Sequence, residues 1–216
     1  IYALITIAIF GMWYYARYEG NFLPFPKKTF NPMMIVAIVI LVPGTQFAAN
    51  FIANLTGYIR PDWLQQYNEL FETSGITDTT FVTVLYSVIL APICEELIFR
   101  GVTMRCARKA LPFALANVMQ AALFGLFHLN WIQGIYAFAL GIVLGYVCEC
   151  GGSIYYSIGL HLLFNLWGTL SGFFPDPGNS AVVFVIVIAV TIVSLVVGFV
   201  LFNKGRRKLP INSTRI

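Results

Sequence analysis

From Ala181 to Phe202 the chain runs without one ionisable residue, built almost wholly of Val, Ile, Leu, Ala and Phe. A helix needs about 20 mainly apolar residues, within a range of roughly 17–25, to cross a bilayer core. This stretch meets that length with no polar face left over, so it commits the chain to lipid. The remainder agrees. Of the 216 residues 59% are hydrophobic and only 10% are charged, against about 45–50% and roughly 25% in soluble domains. Backbone groups in lipid must be satisfied within their own segment, which favours helices. The expected fold is all-α, a polytopic transmembrane helical bundle of about seven spans near 1–16, 33–57, 80–101, 112–130, 132–150, 153–173 and 180–202. The first stretch, Tyr2 to Ala16, has no basic region before it and no small-residue cleavage site after it, so it reads as a span and not a signal peptide. The end, Ser213 to Ile216, carries no prenylation box. With no repeat or linker, residues 1–216 read as a single membrane domain.

Charge orients the bundle. Basic residues stay on the cytoplasmic side, and alternate threading with an inner C-terminus places Arg17, Lys27, Lys28, Arg105, Arg108, Lys109, Lys204, Arg206, Arg207, Lys208 and Arg215 inside. Only Arg60 falls outside, with Asp62, Glu69, Glu72, Asp78 and Asp176. The expected location is therefore the cell membrane, multi-pass, with a cytoplasmic C-terminus. The net charge of +4 is explained by this orientation, and no soluble basic surface exists for nucleic acid. The one long connection, 58–79, places Trp63, Leu64, Tyr67, Leu70 and Phe71 at helical spacing, which predicts a short amphipathic helix at the interface. Cys94, Cys106, Cys148 and Cys150 follow no zinc or disulfide pattern. Trp13, Trp131 and Trp167 read as interfacial anchors.

Ionisable groups within spans cost about 2.5–3.5 kcal/mol each on insertion scales and mark function by default. Here they cluster: Glu95, Glu96 and Arg100 on the third span, His128 on the fourth and His161 on the sixth. The two histidines are the only ones in the chain. Residues four apart share a helix face, so Glu96 is set to pair with Arg100, Phe124 lies above His128, and His161 lies beside Asn165. Glu95 is rotated about 100° from Glu96 and is left unpaired for another task. Pro92, just before it, should kink the span and free a carbonyl. One carboxylate, two imidazoles and an amide suit amide hydrolysis: a carboxylate can activate water, and histidine and asparagine can stabilise an oxyanion. Glu95, His128 and His161 are also ordinary zinc ligands, though no His-Glu-x-x-His helix is present. Zinc at these three or no required cofactor are both left open. On the spans as drawn, Glu95 lies near the inner end of its helix and His128 past the middle of the next, a mismatch on the order of 10 Å.

Cys94-Glu95-Glu96-Leu97-Ile98-Phe99-Arg100, Phe124-Gly125-Leu126-Phe127-His128 and His161-Leu162-Leu163-Phe164-Asn165 occur in this order on separate spans. They resemble the Glu-Glu-x-x-x-Arg, Phe-x-x-x-His and His-x-x-x-Asn motifs of the CPBP intramembrane endopeptidases. That family includes the type II CAAX-prenyl endopeptidases and the bacterial Abi proteins linked to bacteriocin processing and self-immunity. The resemblance covers about 80–170 and makes that stretch the catalytic core. It implies that Glu95 activates water, His128 helps bind that water, His161 and Asn165 stabilise the oxyanion, and Glu96, Arg100 and Phe124 support the site. It implies a protease that cuts a peptide or lipid-associated protein substrate, by a glutamate or a metal-dependent route. The competing expectation is a non-catalytic membrane immunity or scaffold protein that binds a bacteriocin-like peptide. A transporter with a proton relay would show inverted repeats, and none is found.

Overall fold

The structure, a computed structural model, describes residues 2–16, 30–73, 80–171 and 180–207. Among these residues there is no strand; the chain forms α1 (Tyr2–Tyr14), α2 (Pro32–Ile59), α3 (Pro61–Thr73), α4 (Phe81–Ala107), α5 (Phe113–Phe127), α6 (Trp131–Gly151), α7 (Ile154–Ser171) and α8 (Ala181–Arg207). Each expected apolar segment is helical, and α3 is the amphipathic helix expected in the long connection. The count of about seven spans does not follow, however. Among the described residues, α2, α4, α6 and α8 alone are long and apolar enough to cross a membrane, whereas α1 and α5 are apolar but shorter. Length separates these groups: at about 1.5 Å per residue, a 15-residue helix reaches only about 22 Å. The chain is a helical membrane protein.

Local chemistry fixes the helix ends. Asn31 caps α2 by accepting from the Met33 amide at 2.9 Å, ahead of Pro32 in the first turn, where a missing N–H is harmless. Asn130 caps α6 by accepting from the Gln133 amide at 3.0 Å, and Gly152 ends that helix at φ +69°, a conformation open to glycine. The hairpin between α5 and α6 is less relaxed: Leu129 takes φ 53° just after His128.

Two layers position the site. The long helices α2 and α8 pack tightly together, with the Ser194 hydroxyl inserted between Ile40 and Gly44, donating to the first and accepting from the second. This repairs α2 where Pro43 interrupts it. Against that pair lie α6 and α7, whose Leu140, Leu144, Tyr156, Leu160 and Phe164 join Leu41 and Phe202 in the main core. The hairpin α5–α6 closes the other side. Its approach is so close at Gly145 that an added Cβ would stand 1.9 Å from Asn117 Oδ1.

Charge collects at the two ends of α6. At its C-terminal end Arg108 pairs with Glu149 at 3.2 Å, and Arg206 from α8 reaches Cys150 Sγ at 3.3 Å. At its N-terminal end Trp131 stacks on Trp63 of α3, ring centroids 5.4 Å apart. There Arg60 lies over Trp63 and forms a two-bond pair with Asp62, which holds the Asp62 carboxyl below the usual carboxylate range. Arg17, Lys27, Lys28, Lys208, Arg215, Asp78 and Asp176, also used in the sequence-based threading, lie outside the described residues.

Candidate active site

The third expected span, 80–101, is longer than the sequence suggested. It runs as α4 from Phe81 to Ala107, and Glu95 stands halfway along it instead of near its inner end. The expected depth mismatch with His128 rested on that short boundary. α4 is also irregular: Leu85–Leu90 and Leu97–Met104 are π-helical turns on either side of Ala91–Glu96. Such turns widen the helix and are frequent at functional sites. The first has an identifiable cause and repair. The Ala91 amide donates to Tyr86, five residues back, so the next donor in that register would be residue 92, which is proline and has none. The Ser87 carbonyl is thereby freed, and Asn165 Nδ2 from α7 donates to it at 2.8 Å.

The two glutamates meet one histidine. Arg100 donates to Glu96 Oε1 at 2.9 Å, and both side chains are fully buried, so the pairing expected from spacing is present. The same Oε1 is 2.9 Å from His161 Nδ1. His161 Nε2 in turn lies 3.6 Å from Glu95 Oε2. Glu95 is therefore not unpaired, contrary to the rotation argument. An imidazole carries nitrogens on two edges, so one ring can bridge side chains that point in different directions from α4. His161 is 3% exposed and faces the interior.

Phe124 organises the remaining groups. Its ring lies 4.5 Å from the Arg100 guanidinium carbon, edge-on to His128 at 4.9 Å and to His161 at 5.7 Å between centroids. His128 Nδ1 is 2.8 Å from the Phe124 carbonyl. A carbonyl only accepts, so Nδ1 carries the hydrogen and, in the neutral ring, Nε2 is left as an acceptor. The structure thus brings Glu95, Glu96, Arg100 and His161 into one cluster, lays Phe124 against it, and sets His128 on the far edge of that ring. Asn165 borders the cluster but already gives one amide hydrogen to Ser87.

A metal is a poorer fit. Among the described residues no three His, Cys, Asp or Glu side chains are grouped to hold one. Glu95 and His161 approach each other, but His161 Nδ1 is bound to Glu96 and no third donor joins them. The zinc set left open at Glu95, His128 and His161 is not assembled among the described residues.

Sequence reasoning missed a polar layer beneath the cluster. Gln120 Nε2 donates to the Gly141 carbonyl at 2.9 Å and to Asn117 Oδ1 at 2.7 Å, while Asn117 Nδ2 donates to Ile142 at 3.0 Å. Arg100 reaches the same Gly141 carbonyl at 3.3 Å. The signal was there: Asn117, Gln120, Phe124 and His128 follow three- and four-residue steps on one face of an apolar helix.

Clustered carboxylates and imidazoles inside a helical membrane protein mark a functional site, and comparison says what the chain resembles. Residues 77–167 match the model of the family described as type II CAAX prenyl endopeptidase Rce1-like, a protease family, which bears out the CPBP resemblance of the three motifs. No curated protein and no solved structure matches the chain.

Proposed function

We propose that the protein is an intramembrane endopeptidase that hydrolyses a peptide bond with a water activated by Glu95. The single observation that carries this reading is the His161 bridge between Glu95 and Glu96, a buried acid–base pair held by a second carboxylate and an arginine. The Glu95 carboxylate accepts a proton from water as the oxygen attacks the carbonyl carbon. His128 Nε2 holds the water's other hydrogen. His161, fixed through Nδ1 to Glu96, turns Nε2 toward Glu95 and, when it carries a proton there, donates to the oxyanion. The remaining amide hydrogen of Asn165 is available to the same oxygen. Glu95 then passes its proton to the leaving nitrogen, and the elements of water are added across the C–N bond. Arg100 Nε and Gln120 Oε1 find no hydrogen-bond partner among the described residues, which suits an interior that admits water. The substrate is a peptide or lipid-associated protein met within the bilayer of the cell membrane.

The test uses purified protein in liposomes and a quenched fluorogenic peptide ending in a farnesylated cysteine and three further residues, alongside a library of unmodified peptides read by mass spectrometry. Wild type is expected to cut at a defined bond, and Glu95→Gln to lose at least about a hundredfold, the scale of acid–base catalysis. Equal cutting by Glu95→Gln, or no cutting of any peptide by wild type, overturns the proposal.

A further inference from the structure

Helix α2 carries a line of carboxamides that none of the three motifs includes. Gln46, Asn50 and Asn54 follow one another at four-residue steps and so share a face. They are also tied together: Gln46 Nε2 donates to Asn50 Oδ1 at 3.4 Å, and Asn54 Nδ2 donates to the Asn50 carbonyl at 2.8 Å. With 28 residues, α2 is about 42 Å long against a bilayer core of about 30 Å. Asn50 lies about 13 Å from the end of the helix at Ile59, which puts it inside the core. Yet Asn50 and Asn54 are exposed. Gln46 is only 7% exposed, and its Oε1 has no hydrogen-bond partner among the described residues. Unpaired amides are costly in hydrocarbon, so this face calls for a polar occupant and not for lipid.

The line leads to the catalytic cluster. Helices α2 and α7 run in the same direction: the Asn31 amide at the start of α2 donates to the Tyr156 hydroxyl near the start of α7, at 2.9 Å. Further along both helices, a Cβ added at Gly168 would stand 3.8 Å from Gln46 Nε2, with nothing nearer. Beside that point Phe47 meets Trp167 edge-on, ring centroids 6.1 Å apart. Gly168 shares its face of α7 with Asn165 and His161. The polar line therefore begins at His161, 3.6 Å from Glu95 Oε2, passes Asn165 and Gly168, and continues on α2 through Gln46, Asn50 and Asn54.

We infer that the Gln46–Asn50–Asn54 face of α2 holds the substrate peptide in extended form by its backbone, with Gly168 as the notch through which the peptide passes toward Glu95. This rests on the endopeptidase reading and names how that site grips its substrate. An extended chain turns the N–H and C=O of every second residue to the same side, a repeat of about 6.6 Å. Four helical residues rise about 6.0 Å, so successive carboxamides on α2 meet successive residues of one peptide edge. Each carboxamide has both a donor and an acceptor and can serve one such residue. A peptide unwound for cutting within the bilayer loses its own hydrogen bonds and finds no water to replace them; this face supplies them whatever the side chains are.

The probes are the fluorogenic farnesylated peptide and versions of it in which one backbone amide is replaced by an ester, which deletes an N–H and keeps the side chain. Asn50→Leu is expected to raise KM about three- to tenfold, the range of one hydrogen bond, with kcat within about twofold of wild type and the melting temperature not lowered. Asn50→Gln, which keeps the carboxamide, should recover most of the loss. Esters placed one by one should raise KM at alternate residues, and the one opposite Asn50 should have no further effect in Asn50→Leu. A second arm needs no cutting. Peptides carrying benzoylphenylalanine ahead of the farnesylated cysteine are irradiated with the Glu95→Gln protein in liposomes, and mass spectrometry locates the cross-links. They should fall on residues 46–54 of α2 and 165–169 of α7. A lowered melting temperature and kcat with unchanged KM would make the carboxamides a packing device and overturn the inference, as would cross-links confined to other helices or none at all. If wild type leaves the peptide uncut, the endopeptidase reading fails, while the cross-links still decide whether a peptide lies along α2.

Discussion

At the residue scale the two adjacent glutamates are expected to fail in different ways. Glu95→Gln keeps volume and the contact with His161 but removes the base. It should abolish cleavage and leave the melting temperature nearly unchanged. Glu96→Gln leaves Arg100 buried without its counter-charge, a loss of about 3–5 kcal/mol, and also weakens the anchor of His161 Nδ1. It should therefore lose both stability and activity, as should Arg100→Gln for stability. A stable, inactive Glu96→Gln beside an active Glu95→Gln would show the roles reversed. Leu129 makes a second case. It holds φ 53° while 95% exposed, a conformation that costs a residue with a Cβ roughly 1–2 kcal/mol. Leu129→Gly should raise the melting temperature slightly, since glycine relieves the strain but adds about 0.5–1 kcal/mol of entropy cost; a lowered melting temperature would show that the exposed leucine does more than turn the chain. Spacing alone exposed the Glu96–Arg100 pair, because four residues make one helical turn. It could not reveal the His161 bridge, because that contact joins residues 65 positions apart.

At the scale of elements, α4 shows how a sequence rule can be right about a cause and silent about its remedy. Pro92 was legible as the source of a freed carbonyl. The π-helical register and the donor that answers it were not, since Asn165 is 78 residues away and a π-turn leaves no apolar period to read. The coupling is testable by a double-mutant cycle. Asn165→Ala strands the Ser87 carbonyl and should cost about 1–3 kcal/mol. In a Pro92→Ala background the new backbone N–H can meet that carbonyl, so Asn165→Ala should cost less, by about 1 kcal/mol. Additive losses in melting experiments would refute the coupling. Cleavage separates the two tasks given to Asn165: if it also donates to the oxyanion, the double variant regains stability and stays slow. The α5–α6 hairpin follows the same logic at closer range, because Asn117 and Gln120 fill the space that Gly145 leaves.

For the whole molecule, the helices were readable from apolar runs because lipid demands them. The number of spans was not, because an apolar run does not fix helix length: among the described residues four helices are long and apolar enough to cross, while α1 and α5 are apolar but shorter. The arrangement of charge supplies what length does not. Arg108 and Arg206 both gather at the C-terminal end of α6, and Arg60, Asp62 and α3 lie at its N-terminal end. With 21 residues, α6 holds these ends about 30 Å apart, one bilayer core. Basic residues favour the cytoplasm, so the end bearing Arg105, Arg108, Lys109 and Arg206 should face inward and α3 outward. The chain carries its own reporter: Cys106 is exposed beside these arginines, while Cys94, Cys148 and Cys150 are buried. A membrane-impermeant maleimide applied to intact cells should leave the wild-type protein unlabelled and should modify Cys106 once the membrane is opened. A cysteine placed on the exposed side of α3, Asn68→Cys, should be modified without opening it. Labelling of Cys106 from outside, with Asn68→Cys protected, would invert the topology. Glu95 would still stand midway along α4, but α3 would then lie on the cytoplasmic side.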